Sequence, residues 1–138
     1  MLSESDLRRW LKDAWNGSHM DWIEPAIGGT VGYPDVILAL ESKLIPGSIP
    51  VELKVAELKP GWMFRVRPSQ IRWHEMNHRA GKRSAFLIGL TEPFVLALLP
   101  GFCWPGKPNC DWRKRLSWVY DKPSIVQTLG SKVFWRPL

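Results

Sequence analysis

Apolar residues recur at helical spacing near the start of the chain: Leu7, Trp10, Leu11 and Ala14 share one face, while Arg8, Arg9 and Lys12 look elsewhere. Ser3 followed three residues on by Asp6 supplies a start signal for that helix. After Asn16-Gly17 the period changes. MDWIEPAI reads as a strand, and the glycine-rich turn GGTVGYP separates it from a short apolar run, DVILAL. In IPVELKV, Val51, Leu53 and Val55 alternate with Glu52 and Lys54, which places the two sets on opposite faces of a strand. DVILAL and IPVELKV are expected to be antiparallel neighbours. A looser stretch, AELKPGWMFRVR, leads to Pro68, which suits the first turn of a helix running to Gly81 as its C-cap. SAFLIGL and FVLALLP then read as strands on either side of a turn at Glu92-Pro93, and PSIVQTLG as a short last helix.

The order predicts an α/β fold, with one mixed central sheet of about five strands flanked by helices. No repeat or long linker divides the 138 residues, so a single domain is expected over 1–138. Its core would span about 20–100, with a basic, Trp-rich extension over 101–138. A chain of this length buries enough surface to fold without a disulfide or a metal.

Composition then narrows the partners. The formal net charge is +6, from 19 Lys and Arg against 13 acids, which favours a polyanion over an acidic partner. Nine Trp serve equally as core filling and as platforms for bases. Cys103 and Cys110, in FCWPGKPNC, have neither C-x-x-C spacing nor the number for a disulfide framework, and point to a reducing cytosol. MLSESDLRRWLKDAW carries acids and no apolar run, so no signal peptide is expected. AFLIGLTEPFVLALLP is broken by Glu92 and Pro93 and is too short to span a bilayer. A cytoplasmic location is the expectation.

Three residues carry the candidate chemistry. Asp35 opens a strand after Gly-Tyr-Pro, and Glu52 and Lys54, two apart, project from one face of the next strand. An isolated Glu-x-Lys carries no information, because any half-exposed strand shows it. Paired strands, however, bring Asp35 and Glu52 to a common point. Mg²⁺ takes oxygen ligands and keeps several waters, so two carboxylates and a main-chain carbonyl suffice to hold it. A lysine beside it orients or deprotonates water and offsets phosphate charge. The chemistry implied is metal-assisted phosphodiester hydrolysis.

The pattern G-Y-P-D, then V-E-L-K, then V-R-P-S-Q-I-R-W-H and A-G-K-R resembles the PD-(D/E)xK nuclease superfamily. Within it, the likeness is to small VRR-Nuc-type and phage Holliday junction resolvase-like endonucleases, over roughly residues 20 to 90. The resemblance implies a restriction-endonuclease-like core and a phage or mobile-element origin, with the host cytoplasm as location. It makes Asp35 and Glu52 metal ligands, with the carbonyl of Leu53 a third, and Lys54 the residue that activates water. Glu24 matches an acid placed near the same metal, although it reads equally as a solvated strand residue. Gln70 matches a glutamine on the following helix, although it also suits capping of that helix. The cofactor implied is Mg²⁺, with Mn²⁺ able to substitute. A second ELK, Glu57-Leu58-Lys59, satisfies the same short pattern but falls beside Pro60-Gly61, where a strand should end.

HEMNH, residues 74 to 78, also has the H-E-x-x-H spacing of a zinc protease, with Glu75 as its base. The glycine-containing form of that motif expects a His or Asp three residues after Gly81, and Ser84 stands there, a poor zinc ligand. The alternative for these histidines is a helix packed on the sheet with Ile71 and Trp73 inward. His74 would then lie near phosphate and His78 would have no special role.

Arg67, Arg72, His74, Lys82 and Arg83, with Arg65 and Arg79 nearby, flank the helix, and Arg113, Lys114 and Arg115 form a second cluster between Trp112 and Trp118. Such cations give affinity for phosphates without sequence information. No base-reading motif is present, so recognition by shape is expected, on a flap, fork or four-way junction of DNA. Symmetric junction cleavage needs two sites on a twofold axis and hence a homodimer, for which the C-terminal third offers either an interface or more core. The expectation is thus a metal-dependent DNA endonuclease. Its rival is a non-catalytic nucleic-acid binding module on the same fold.

Overall fold

The computed structural model describes residues 2–23, 32–40, 47–56, 63–91 and 94–137. The first helix, α1 (Glu4–Ala14), begins as its sequence signal requires. The Ser3 side chain accepts from the Asp6 N–H at 3.1 Å, and the Asp6 carboxylate accepts from the Ser3 N–H at 2.8 Å. Each half of this box satisfies a donor that the first turn leaves open, an effect of about 1 kcal/mol. Leu7, Leu11 and Trp15 are buried on its inner side.

Among the described residues six strands form one sheet in sequence order: β1 (Met20–Trp22), β2 (Val36–Leu40), β3 (Gly47–Ala56), β4 (Ala85–Thr91), β5 (Phe94–Pro100) and β6 (Ser117–Val119). Every neighbouring pair is antiparallel except β3 and β4, whose parallel pairing is allowed by the crossover helix α2 (Pro68–Arg79). The fold is α/β with a mixed sheet, as the element order predicts. One strand lies beyond that prediction. β6 is three residues long and follows a short 3-10 helix, Trp112–Arg115, inside the basic cluster. Three residues are too few to display a period, and β6 exists because β5 offers it an edge.

The sheet is covered on both faces. On one, α1 and α3 (Lys122–Leu129) pack Leu7, Leu11, Trp15, Ile125 and Leu129 against Val51, Leu53, Leu87 and Leu98. On the other, Phe64, Trp104 and Trp112 pack with Phe86, Ile88 and Leu99. Burial on two faces explains why β4 and β5 read as continuous apolar runs. β3 alternates because Glu52 and Lys54 occupy the face where α2 brings polar groups instead of a core.

Cys103 and Cys110 are joined by a disulfide with their Cα atoms 6.2 Å apart. The Pro/Gly turn between them doubles back through residues with positive φ, Gly106 at 93° and Asn109 at 61°. This corrects the sequence expectation of unpaired thiols and removes its support for a reducing compartment. Among the described residues, no helix is long and apolar enough to cross a membrane.

Candidate active site

The site forms where β2 stops and β3 continues. Val36 lies opposite Val51, and continuing that register by one residue sets Asp35 against Glu52. Past this point β3 runs on to Ala56 with β4 on its far side. The Asp35 carboxylate covers the open edge: its Oδ2 accepts from the Leu53 N–H at 2.8 Å. The N–H and C=O of a strand residue point to the same side. The Leu53 carbonyl therefore opens into the same notch, where the resemblance expects a main-chain ligand.

Glu52 is 2% exposed. Its Oε1 accepts from Gln70 Nε2, and Gln70 Oε1 accepts from Lys54 Nζ at 2.9 Å and from the Arg67 N–H at 3.0 Å. These donors fix the amide orientation, since only the oxygen of Gln70 can accept from an ammonium. Gln70 thus both caps its own helix, as one of its sequence readings expects, and ties Glu52 to Lys54. Glu52 Oε2 is buried without a donor. As a carboxylate it would face a second acceptor, Asp35; protonated, it donates to Asp35. Burial first, and then this Asp35 neighbour, push the Glu52 carboxyl up to about 9. Burial also lowers Lys54, reinforced by the charge of Arg67 and opposed by the attraction of Glu52.

The G-Y-P-D turn is held against the start of α2. A Cβ on Gly32 would collide with the Ser69 carbonyl oxygen and come within 2.7 Å of its carbon, and Gly32 has φ +89°. The Tyr33 ring lies 5.8 Å from that of Trp73. This seam anchors the turn that leads into Asp35, opposite Glu52. Gly32→Ala is expected to lower stability by about 2 kcal/mol or more, through positive-φ strain and displacement of backbone. Thermal melting checks this, with an accompanying fall in any activity of the site.

Two participants carry no mark in the sequence. Arg8 Nη2 stands 3.3 Å from Asp35 Oδ1, its guanidinium 4.9 Å over the Trp22 ring. Glu4 is near enough for its charge to act on both Glu52 and Lys54. Both lie on the polar side of α1, one turn apart, where the pattern reads as ordinary solvent-facing helix. No family model, curated protein or solved structure matches the chain.

The two carboxylates, the Leu53 carbonyl and the ammonium are brought together. Glu24 and the second ELK, Glu57 to Lys59, lie outside the described residues. His74 requires correction: it is fully buried, with Nδ1 2.6 Å from Ser84 Oγ, its ring 4.5 Å from that of Phe86, and cannot touch phosphate. Burial, and then the Lys54 charge, push it down to about 4, so it is neutral behind the site. His78 packs its ring 4.9 Å from that of Phe102. Ser84, standing where the protease motif wants a ligand, is instead the partner of His74. Among the described residues no group of three His, Cys, Asp or Glu side chains could hold a metal.

Arg67, Arg72, Lys82, Arg83, Arg113 and Lys114 are exposed. Arg115 is engaged within the chain, donating to the carbonyls of Phe134 and Arg136. Arg83 lies 5.5 Å over Trp135 and Arg113 4.9 Å over Trp112, so the indoles also hold cations at the surface.

Proposed function

We propose that the chain is a metal-dependent DNA endonuclease acting on branched DNA, as its resemblance to PD-(D/E)xK nucleases implies. One observation carries the proposal: the Asp35 and Glu52 carboxyls face each other at the end of β2 with the Lys54 ammonium beside them.

The residues fit a small hard cation. Glu52 Oε2 is a buried oxygen without a donor, aimed at a second carboxyl, and the Leu53 carbonyl shares the notch. Two carboxylates and a carbonyl are few ligands, which suits Mg²⁺, an ion that keeps several waters. Mn²⁺ accepts the same oxygens. When bound, such an ion polarises a phosphoryl oxygen and acidifies water.

The chain supplies the rest. Gln70 holds Lys54 at the notch, where its ammonium donates to a phosphate oxygen and offsets the charge that grows during attack. Burial lowers the Lys54 pKa and so eases its exchange of a proton with the attacking water. The exposed arginines and lysines around α2 hold the backbone without reading bases.

Labelled four-way junction and flap DNA, incubated with Mg²⁺ or Mn²⁺ and separately with chelator, test the reading. Cutting is expected only with the ion, and loss of it in Lys54→Met. Absence of cutting on every substrate, or cutting that persists in chelator, would overturn the proposal. Paired symmetric cuts on the junction further require a dimer in sedimentation, because one site cuts one strand.

A further inference from the structure

Beside the acid pair is a second concavity, of about 360 Å³, lined by Arg8, Arg9, Lys12 and Trp22. We propose that it is a phosphate subsite, seating a backbone phosphate of the nucleic-acid strand next to the one held at Asp35 and Lys54. The proposal rests on the nuclease reading for the identity of that strand.

The sequence sends these cations to one place. Arg8 and Lys12 are four apart on α1 and lie one above the other, Arg9 flanks them, and Trp22 of β1 closes the wall. Arg8 links pocket and site. One nitrogen of its guanidinium reaches Asp35 at 3.3 Å while the ring of Trp22, 4.9 Å away, fixes its plane. A guanidinium has five N–H donors, so this contact leaves others for a phosphate, which accepts from such a fork in pairs. Arg9 is held only loosely, 3.8 Å from Asp6 in an exposed pair. Among the described residues no acid pairs with Lys12. Three cations facing one hollow repel each other, and an anion there relieves that repulsion.

The position selects the anion. An acidic peptide would satisfy the cations, but a nucleic-acid strand repeats its phosphates regularly. It can place one diester in the hollow while the next lies against Lys54. Arg8, which lines the hollow and contacts Asp35, then registers the strand.

The experiment measures binding of fluorescently labelled DNA by the full chain in chelator, so that no cleavage is required. Wild type is compared with the double variant Arg9→Ala/Lys12→Ala over a range of salt. Both side chains are at the surface, and an unchanged melting temperature verifies folding. The variant is expected to bind about tenfold more weakly, with the slope of log K against log salt reduced by about 1. A scan replacing single phosphates by neutral methylphosphonates locates the effect. One position should weaken wild type clearly more than the variant, which keeps only Arg8 at the hollow.

Unchanged affinity and slope would overturn the subsite, as would a penalty spread evenly over all positions. Failure of the nuclease reading looks different: wild type would not cut DNA in Mg²⁺ while the binding difference remained. A chain that cuts DNA but shows no methylphosphonate position specific to these cations retains the nuclease and loses the subsite.

Discussion

Asp35→Asn should leave the fold in place and reduce cleavage about a thousandfold or more, the scale expected when a site loses the charge that holds its ion. Asparagine retains an oxygen of the same shape, so the Leu53 N–H, now 2.8 Å from Oδ2, still finds an acceptor. The pairing with Arg8 weakens, but the two side chains are 41% and 20% exposed and the loss is within about 1 kcal/mol. The proposed ion site, by contrast, loses one of its two carboxylates. Melting with and without Mg²⁺ gives a readout independent of catalysis: the ion should raise the wild-type melting temperature and leave the variant unmoved. A variant that cuts DNA at the wild-type rate would remove Asp35 from the site.

Glu52→Gln is expected to stabilise the metal-free protein above neutral pH while abolishing activity. The sign follows from linkage. Glu52 titrates at about 9 when folded, against 4.5 unfolded. Between those values the folded chain keeps a proton that the unfolded chain has released, so stability falls as pH rises from about 4.5 towards 9. Below 4.5 this contribution is fully present. Glutamine cannot ionise, still accepts from Gln70, and offers its own N–H to Asp35 in place of the carboxyl proton. The difference between variant and wild type should therefore be small at pH 5 and grow to on the order of 2 kcal/mol or more at pH 8.5. In melting temperature that is several degrees for a domain this size. Added Mg²⁺ should restore wild type at high pH, because ion binding favours the deprotonated form. A pH-independent difference would show that Glu52 ionises normally.

The site was legible where strand chemistry is local. Alternation in IPVELKV put Glu52 and Lys54 on the face opposite Val51 and Leu53, and the antiparallel pairing that it implied brings Asp35 to Glu52. The helix start at Pro68 likewise put Gln70 on its first turn, within reach of both. His74, one turn further along the same face, illustrates the limit. Its spacing is equally that of a zinc ligand, a phosphate contact or an inward-facing polar residue. Ser84 and Phe86 decide it, from the far side of the crossover.

Arg8 and Glu4 mark a second limit, since helical periodicity reports only that they lie away from the apolar stripe. Whether that side meets solvent or the open edge of a sheet depends on how α1 crosses β3. The same holds for Cys103 and Cys110, brought together by a turn, and for β6, which exists because β5 has an edge to offer.

By itself the sequence determined the order of the longer elements, the apolar faces of α1 and β3 and the places of the candidate carboxylates and lysine along the chain, because those follow from spacing over a few residues. The tertiary structure decided which polar groups are buried, which are paired and which cations border the acids. Those properties depend on what lies opposite each side chain, and chain-distant elements supply it.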